Sequence, residues 1–381
     1  MTVPQPAPSA TQAPLEAALT SDLESYLERR EGPERISAIS ATVSLPGGST
    51  IDVTAGTTFR NGRVAVTPRN LYQIASNTKA FTGILALELQ SRGKLRLDQT
   101  LATWLPQYPQ WKDVTVRQLL QMTSGIATYE ASSAWARDLL ANPQRDFSPQ
   151  RLIGYVTGIP RKPGFVYSNT NYILAQLVLE KASGQSYETL VRSLIARAHL
   201  RQAFYYPDLY PATLLDRTVA GYFDDSTATD LAPLLGENVR DFSLSWAQAA
   251  GGIVAEPHAV ALWDRQMYRG NVITPAERAE LERLVSFQSG KPIDRTTPQD
   301  PRGFGLGVAQ FDTKNYGRIW FYEGETLGYR LLHVYFPDDD LIVVIGLNSA
   351  PDPREDRIFD LADALYETLE SYGATARVRW P

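Results

Sequence analysis

A chain of 381 residues with 43% hydrophobic and 21% charged positions has the length and apolar content to bury a sizeable core. Its formal net charge of -5, with no basic run interleaved with aromatics, argues against general nucleic-acid binding, and no stretch approaches the roughly eighteen apolar residues of a membrane helix. A cysteine count of 0 removes thiol nucleophiles, thiolate metal sites and disulfides together.

Residues 1–14, rich in Pro, Ala, Thr and Gln, read as a disordered tail and lack the charged start and apolar stretch of a secretory signal. Leu15 to Arg30 has the spacing of an amphipathic helix, and Ile36 to Leu45 and Thr50 to Thr54 read as strands joined at Pro46-Gly47-Gly48. A long buried helix follows, opened by Ser76-Asn77-Thr78-Lys79, carried by Phe81, Ile84, Leu85, Leu87 and Leu89, and stopped at Gly93. From Leu95 to Trp246 the signals are mainly helical, clearest at Val114 to Met122, Arg151 to Thr157 and Asn171 to Ala182, with a further helix around Tyr187 to His199 after Ser183-Gly184. Strands return at Arg318 to Tyr322, Tyr329 to Phe336 and Leu341 to Leu347, and Glu355 to Tyr372 closes the chain as a helix. Strands at both ends around a helical middle predict an α/β (α+β) lobe from residues 15–94 and 247–381, with a helical lobe, 95–246, inserted. There are no internal repeats.

Ser76 and Lys79, three apart, share one helix face, so hydroxyl and amine can meet. The positive end of the helix dipole disfavours an ammonium in the first turn, which suits a serine nucleophile with a built-in base. A capping serine is the alternative reading, and Ser91-Arg92-Gly93-Lys94 repeats the spacing at what reads as an exposed helix end. The three histidines stand outside any nucleophile motif: His199 at a helix end, His258 at a helix start, and His333 inside a strand. Each reads as structural, so a Ser-His-Asp enzyme and a histidine-rich metal site are both disfavoured.

Pro163 to Tyr172 is a Gly/Pro-marked polar loop before a helix, and it delivers the Tyr167 hydroxyl and the Asn169 amide two residues apart. A lysine ammonium beside Tyr167 would let the phenol exchange protons with a serine or a leaving group; a packed turn is the alternative. Trp320 to Tyr329 runs from an apolar strand into the polar edge Tyr322-Glu323-Gly324-Glu325 and turns at Gly328. Glycine there permits close approach of a ligand, and a free N–H beside the serine would complete an oxyanion hole. Bare pattern alone makes it a hairpin.

In this order the residues resemble the penicillin-recognising serine hydrolases, the branch holding class C β-lactamases, D-alanyl-D-alanine carboxypeptidases, D-aminopeptidases and related esterases. Ser76/Lys79 and Tyr167/Asn169 meet the family's Ser-x-x-Lys and Tyr-x-Asn, and Tyr322-Glu323-Gly324 is an altered Lys- or His-Thr-Gly. Leu119 to Gly125, Ala250-Gly251-Gly252 and Gly303 to Gly307 look similar too. The resemblance implies a β-lactamase-like fold: an antiparallel sheet flanked by helices from both termini, plus the helical insertion. It implies that Ser76 forms an acyl-enzyme, that Lys79 and Tyr167 share general-base and general-acid duty, and that Asn169 orients the lysine or a substrate amide. It implies further that the N–H groups of Ser76 and Glu325 hold the oxyanion, and that no metal or organic cofactor is needed.

The third motif departs from the family. Tyr322 stands where a lysine or histidine generally helps bind a substrate carboxylate, and Glu323 and Glu325 add negative charge unless they point to solvent as edge-strand residues. Arg354 falls near where class C enzymes carry a carboxylate-binding arginine. The expected activity is hydrolysis of a D-amino-acid peptide or amide, or of a small ester, with β-lactam hydrolysis weak or absent. The alternatives are a class C β-lactamase and a catalytically silent sensor of cell-wall fragments or β-lactams. The expected partner is a small-molecule or peptide substrate, with no nucleic acid and no integral membrane segment; the oligomeric state is open. Family habit places such proteins in the periplasm or outside the cell, and a cytoplasmic location stays open.

Overall fold

Leu15, Leu19, Leu23 and Tyr26 recur along one side of α1 (Gln12–Glu34), and all four are buried. The computed structural model describes residues 12–375, so the expected tail lies outside the described residues up to residue 11, and α1 has begun by Gln12. Two strands follow, β1 (Ala38–Ser44) and β2 (Thr50–Gly56). They join seven from the far end of the chain: β3 (Leu284–Ser286), β4 (Pro292–Ile293), β5 (Arg302–Phe304), β6 (Ala309–Thr313), β7 (Gly317–Glu325), β8 (Arg330–Phe336) and β9 (Leu341–Leu347). The nine form one sheet in the order β2-β1-β9-β8-β7-β6-β5-β3-β4, with every neighbouring pair antiparallel.

Alternation along β8 assigns the two faces. Leu332, Val334 and Phe336 enter a core shared with α1 and with the last helix, here α5 (Ile358–Ser371). Leu331 and Tyr335 enter the larger core on the opposite face. That core also holds residues of α2 (Thr78–Ser91), α3 (Asn169–Ser183) and α4 (Pro257–Tyr268). Residues of the helical segments between residues 101 and 197 enter this same larger core. Among the described residues no helix is long and apolar enough to cross a membrane.

The helix expected to open at Ser76 begins differently. Ala75–Asn77 is a turn of 3₁₀ helix, and α2 proper starts at Thr78. Ala75 has φ +52°, a left-handed conformation that costs a non-glycine residue about 1 kcal/mol or more. Strain directly before Ser76 is tolerated because Asn77 and the sheet hold the turn from both sides.

At the β2 edge of the sheet His258, near the start of α4, places Nδ1 2.9 Å from Asp52. The hydrogen bond to Asp52 raises His258 above its ordinary 6.5, against the pull of burial, with Glu256 helping and Arg69 opposing. A raised histidine contributes stability that is complete below about 6.5 and fades as pH climbs through the folded value. Asp52→Asn is therefore expected to cost about 0.5–1 kcal/mol near pH 5.5 and little near pH 8.5, measured by urea unfolding at the two pH values.

Candidate active site

Lys79 is fully buried, and its Nζ lies 2.8 Å from Ser76 Oγ and 2.7 Å from the Ala250 carbonyl oxygen, to which it donates. The carbonyl comes from the short helix Gln248–Gly251, so the Ala250-Gly251-Gly252 stretch acts through its backbone. On the other side the Tyr167 hydroxyl lies 2.8 Å from the same Ser76 oxygen. Neither Ile74 nor Asn77, the residues preceding the two helical segments, makes a side-chain cap, and Ser76 Oγ is engaged by the amine and the phenol. Ser91, by contrast, is exposed and bonds the Glu88 carbonyl, as a helix end does.

Tyr167 is 41% exposed, which makes it the open side of an otherwise buried cluster. Its ring also lies 5.0 Å from Lys79 Nζ, within cation–π range. Behind it the Tyr322 hydroxyl donates to the Tyr167 hydroxyl at 3.1 Å. Burial pushes the Tyr322 phenol far up, reinforced by Tyr167 and Tyr172, so it stays a neutral donor. Tyr322 therefore touches the Ser76–Lys79–Tyr167 cluster as a lysine there could, but brings no charge.

Gly324 is pressed onto the serine turn: a Cβ there would lie 2.5 Å from the Ile74 carbonyl oxygen and 2.8 Å from the Ser76 nitrogen. At Gly307, which has φ +88°, a Cβ would meet the Lys79 carbonyl oxygen at 2.5 Å, so the Gly303 to Gly307 stretch packs against the backbone of α2. Ser124, in the Leu119 to Gly125 stretch, donates to Asn171 Oδ1 at 2.6 Å and so ties that stretch to α3.

Asn169 does not bond Lys79. Its Nδ2 donates to both carboxylate oxygens of Glu130, each at 2.7 Å, and its Oδ1 is buried without a hydrogen-bond partner. Glu130 also accepts from Thr128 Oγ1 at 2.6 Å. Burial raises the Glu130 carboxyl, while Thr128, Asn169 and the Lys79 charge oppose that rise. Glu130 was absent from the candidates drawn from the sequence. Its partner Asn169 is 39 residues away, and no local pattern marks it.

The acidic pair of the third motif is placed otherwise. Strand alternation turns Tyr322 and Gly324 toward Ser76, and Glu323 and Glu325 toward the α1/α5 face. Glu323 bonds Asp356 and feels buried Arg330, which also pairs with Glu34 at 2.7 Å. β7 lies between β6 and β8, so Glu323 is not an edge-strand charge either. Glu325 is the exposed last residue of β7, paired in register with Arg330. The Arg354 guanidinium is exposed and held by Asp352, and none of its hydrogen bonds reaches Ser76, Lys79, Tyr167 or Asn169. Among the described residues no group of three or more His, Cys, Asp or Glu could hold a metal ion.

A family model described as Beta-lactamase matches residues 29–367. Penicillin-binding protein 4* of Bacillus subtilis (strain 168) is 25% identical over 288 residues, covering 74% of this chain and 62% of that protein. The chain thus spans less than two thirds of that relative's length. A D-stereospecific amidohydrolase from Streptomyces sp. superposes with TM-score 0.75 at 22% identity, covering 92% of this chain and 98% of the other. D-amino acid amidase from Ochrobactrum anthropi SV3, solved with D-phenylalanine, gives TM-score 0.77 at 20% identity, covering 94% and 99%. These structural likenesses establish the fold.

Proposed function

The chain belongs to the beta-lactamase family of serine hydrolases, and from that premise we propose that it cleaves an amide or small ester, foremost of a D-amino acid, through a Ser76 acyl-enzyme. The observation that carries this reading is the position of Ser76 Oγ, 2.8 Å from both Lys79 Nζ and the Tyr167 hydroxyl. Ser76 Oγ attacks the carbonyl carbon and its proton passes to the Lys79/Tyr167 pair. The same pair returns a proton to the departing amine or alcohol as the carbon–nitrogen or carbon–oxygen bond breaks. Water then releases the acyl group. The N–H groups of Ser76 and Glu325 are the proposed oxyanion donors. The location is proposed to be the periplasm or the cell exterior.

Charge at the site favours a substrate bearing an ammonium over one bearing a carboxylate. Tyr322 supplies no cation, and the Glu130 carboxyl, held by Asn169, lies near enough to Lys79 for that charge to act on it. The two solved structures named above are a D-stereospecific amidohydrolase and a D-amino acid amidase, which agrees with an amine beside the scissile carbonyl.

Labelling with a fluorophosphonate tests the nucleophile: wild type is expected to be labelled and Ser76→Ala not, and equal labelling of both would remove Ser76 from the mechanism. Glu130→Gln tests the substrate charge. It is expected to lower kcat/KM for D-amino-acid amides about 10–100-fold while changing an uncharged ester little, since a hydrogen-bonded charge contributes about 1.5–3 kcal/mol. An equal loss on both substrates would assign Glu130 to holding Asn169 alone.

A further inference from the structure

The strand residue directly opposite Tyr322 is His333, and the two side chains share the Ser76 face of the sheet. Tyr322 reaches the serine hydroxyl through Tyr167. His333 reaches the serine backbone through Asn77, the residue after Ser76. Both His333 and Asn77 are buried, at 2% and 3% exposure, so neither meets substrate or bulk water.

The hydrogen bonds determine how this link works. Asn77 Nδ2 donates to the Ile74 carbonyl and to the Leu331 carbonyl, each at 2.9 Å, which uses both of its protons. Asn77 Oδ1 therefore faces His333 Nδ1 at 2.7 Å as an acceptor, and Nδ1 carries the imidazole proton. His333 Nε2 is left to accept, and the Tyr268 hydroxyl of α4 donates to it at 3.2 Å. Were the Asn77 amide to flip, its oxygen would oppose two carbonyl oxygens and its NH₂ would oppose an N–H. The imidazole thus fixes the amide, and the amide ties the turn before Ser76 to β8.

The surroundings keep that imidazole neutral. Burial pushes His333 down to about 3. Asp264, one helical turn before Tyr268 on α4, brings Oδ1 to 3.7 Å from His333 Nδ1 and is itself fully buried, with neither oxygen hydrogen-bonded. Burial raises the Asp264 carboxyl well above the ordinary carboxylate range, so it stays protonated and does not draw the Nδ1 proton away from Asn77.

We propose that His333 is a positioning residue for Ser76, acting through Asn77 to hold the strained Ala75–Ser76 turn against β7 and β8 so that the hydroxyl and the backbone N–H stay aimed at the substrate carbonyl. The proposal rests on the reading of Ser76 as nucleophile, and it gives a role to a histidine that touches neither Ser76 Oγ nor Lys79. The strain at Ala75 (φ +52°) supplies the reason a clamp is needed: released, the turn relaxes and Ser76 moves.

The test compares wild type, His333→Leu, His333→Asn and Asn77→Ala, each normalised to correctly folded protein by circular dichroism and thermal melting. The probes are a fluorophosphonate and a p-nitrophenyl ester. His333→Leu and Asn77→Ala are expected to lower kcat and the labelling rate about 10–100-fold with KM nearly unchanged, because a small misplacement of a nucleophile is costly. His333→Asn keeps an N–H near the Nδ1 position and is expected to recover most of the rate. The pH profile of His333→Asn is expected to match that of wild type, since no histidine titration is being removed. Wild-type rates in folded His333→Leu, or an equal loss in His333→Asn and His333→Leu, would overturn the positioning role. Should His333→Leu fail to fold, Asn77→Ala decides by the same criterion. Absence of wild-type labelling would bring down the nucleophile reading and this proposal together, whereas Ser76-dependent labelling unaffected by either variant brings down this proposal alone.

Discussion

The Ser76→Ala/Lys79→Met double variant is expected to be no slower than either single variant, each of which loses about 10⁴-fold or more in kcat. Groups that act as one unit fail together: with the Ser76 hydroxyl gone, the amine has no proton to take, and with the amine gone, the hydroxyl has lost its acceptor. The geometry gives the reason for treating them as one unit. Lys79 Nζ has two short polar neighbours, Ser76 Oγ at 2.8 Å and the Ala250 carbonyl at 2.7 Å, and its side chain is fully buried. No bulk water stands ready to replace it. Methionine fills the lysine's volume with an apolar chain of similar shape, so packing survives while the proton acceptor is lost. Single-turnover kinetics on an activated ester, with folding checked by thermal melting, distinguish the outcomes. Multiplying losses in the double variant would show that serine and lysine work independently and would remove Lys79 as the base.

Which parts of this arrangement were legible in the sequence follows from how local each signal is. Ser76 and Lys79 are a turn apart on one segment, and Tyr167 and Asn169 bracket the start of α3, so their spacing survives folding unchanged. The long strands and helices are legible for the same reason: β8 and β9 carry continuous apolar runs, and α1 repeats Leu15, Leu19 and Leu23. The short strands β3 to β6 were not expected, because segments such as Leu284–Ser286 are too brief for alternation to register. Glu323 and Glu325 were correctly placed on one common face, but only the Tyr322–Tyr167 contact reveals that it is the face away from Ser76. Glu130 and His333 are hydrogen-bonded to partners on other elements, Asn169 and Asn77, and that pairing is made by tertiary structure. A serine 3₁₀ turn in place of a helix start has the same origin, since Asn77 is held by a carbonyl of β8.

Gly324→Ala is expected to destabilise the fold by about 1–3 kcal/mol and to lower turnover about 10²–10³-fold in the molecules that do fold. The added methyl carbon would stand 2.5 Å from the Ile74 carbonyl oxygen, 2.8 Å from Asn77 Nδ2 and 2.8 Å from the Ser76 nitrogen. Two of the three are backbone atoms of the serine turn, which cannot rotate away as a flexible side chain can. The third belongs to the amide that clamps the turn. Relief must come from moving the turn off β7, which carries the Ser76 N–H away from the place where an oxyanion would form. Gly158→Ala serves as the control, since nothing lies within 4 Å of a Cβ there, and it is expected to leave both stability and rate unchanged. Urea unfolding measures the first effect, and ester turnover per fluorophosphonate-reactive site the second. A Gly324→Ala protein with wild-type turnover per reactive site would show that contact between β7 and the Ser76 turn is packing alone, and would remove the β7 end from the oxyanion site.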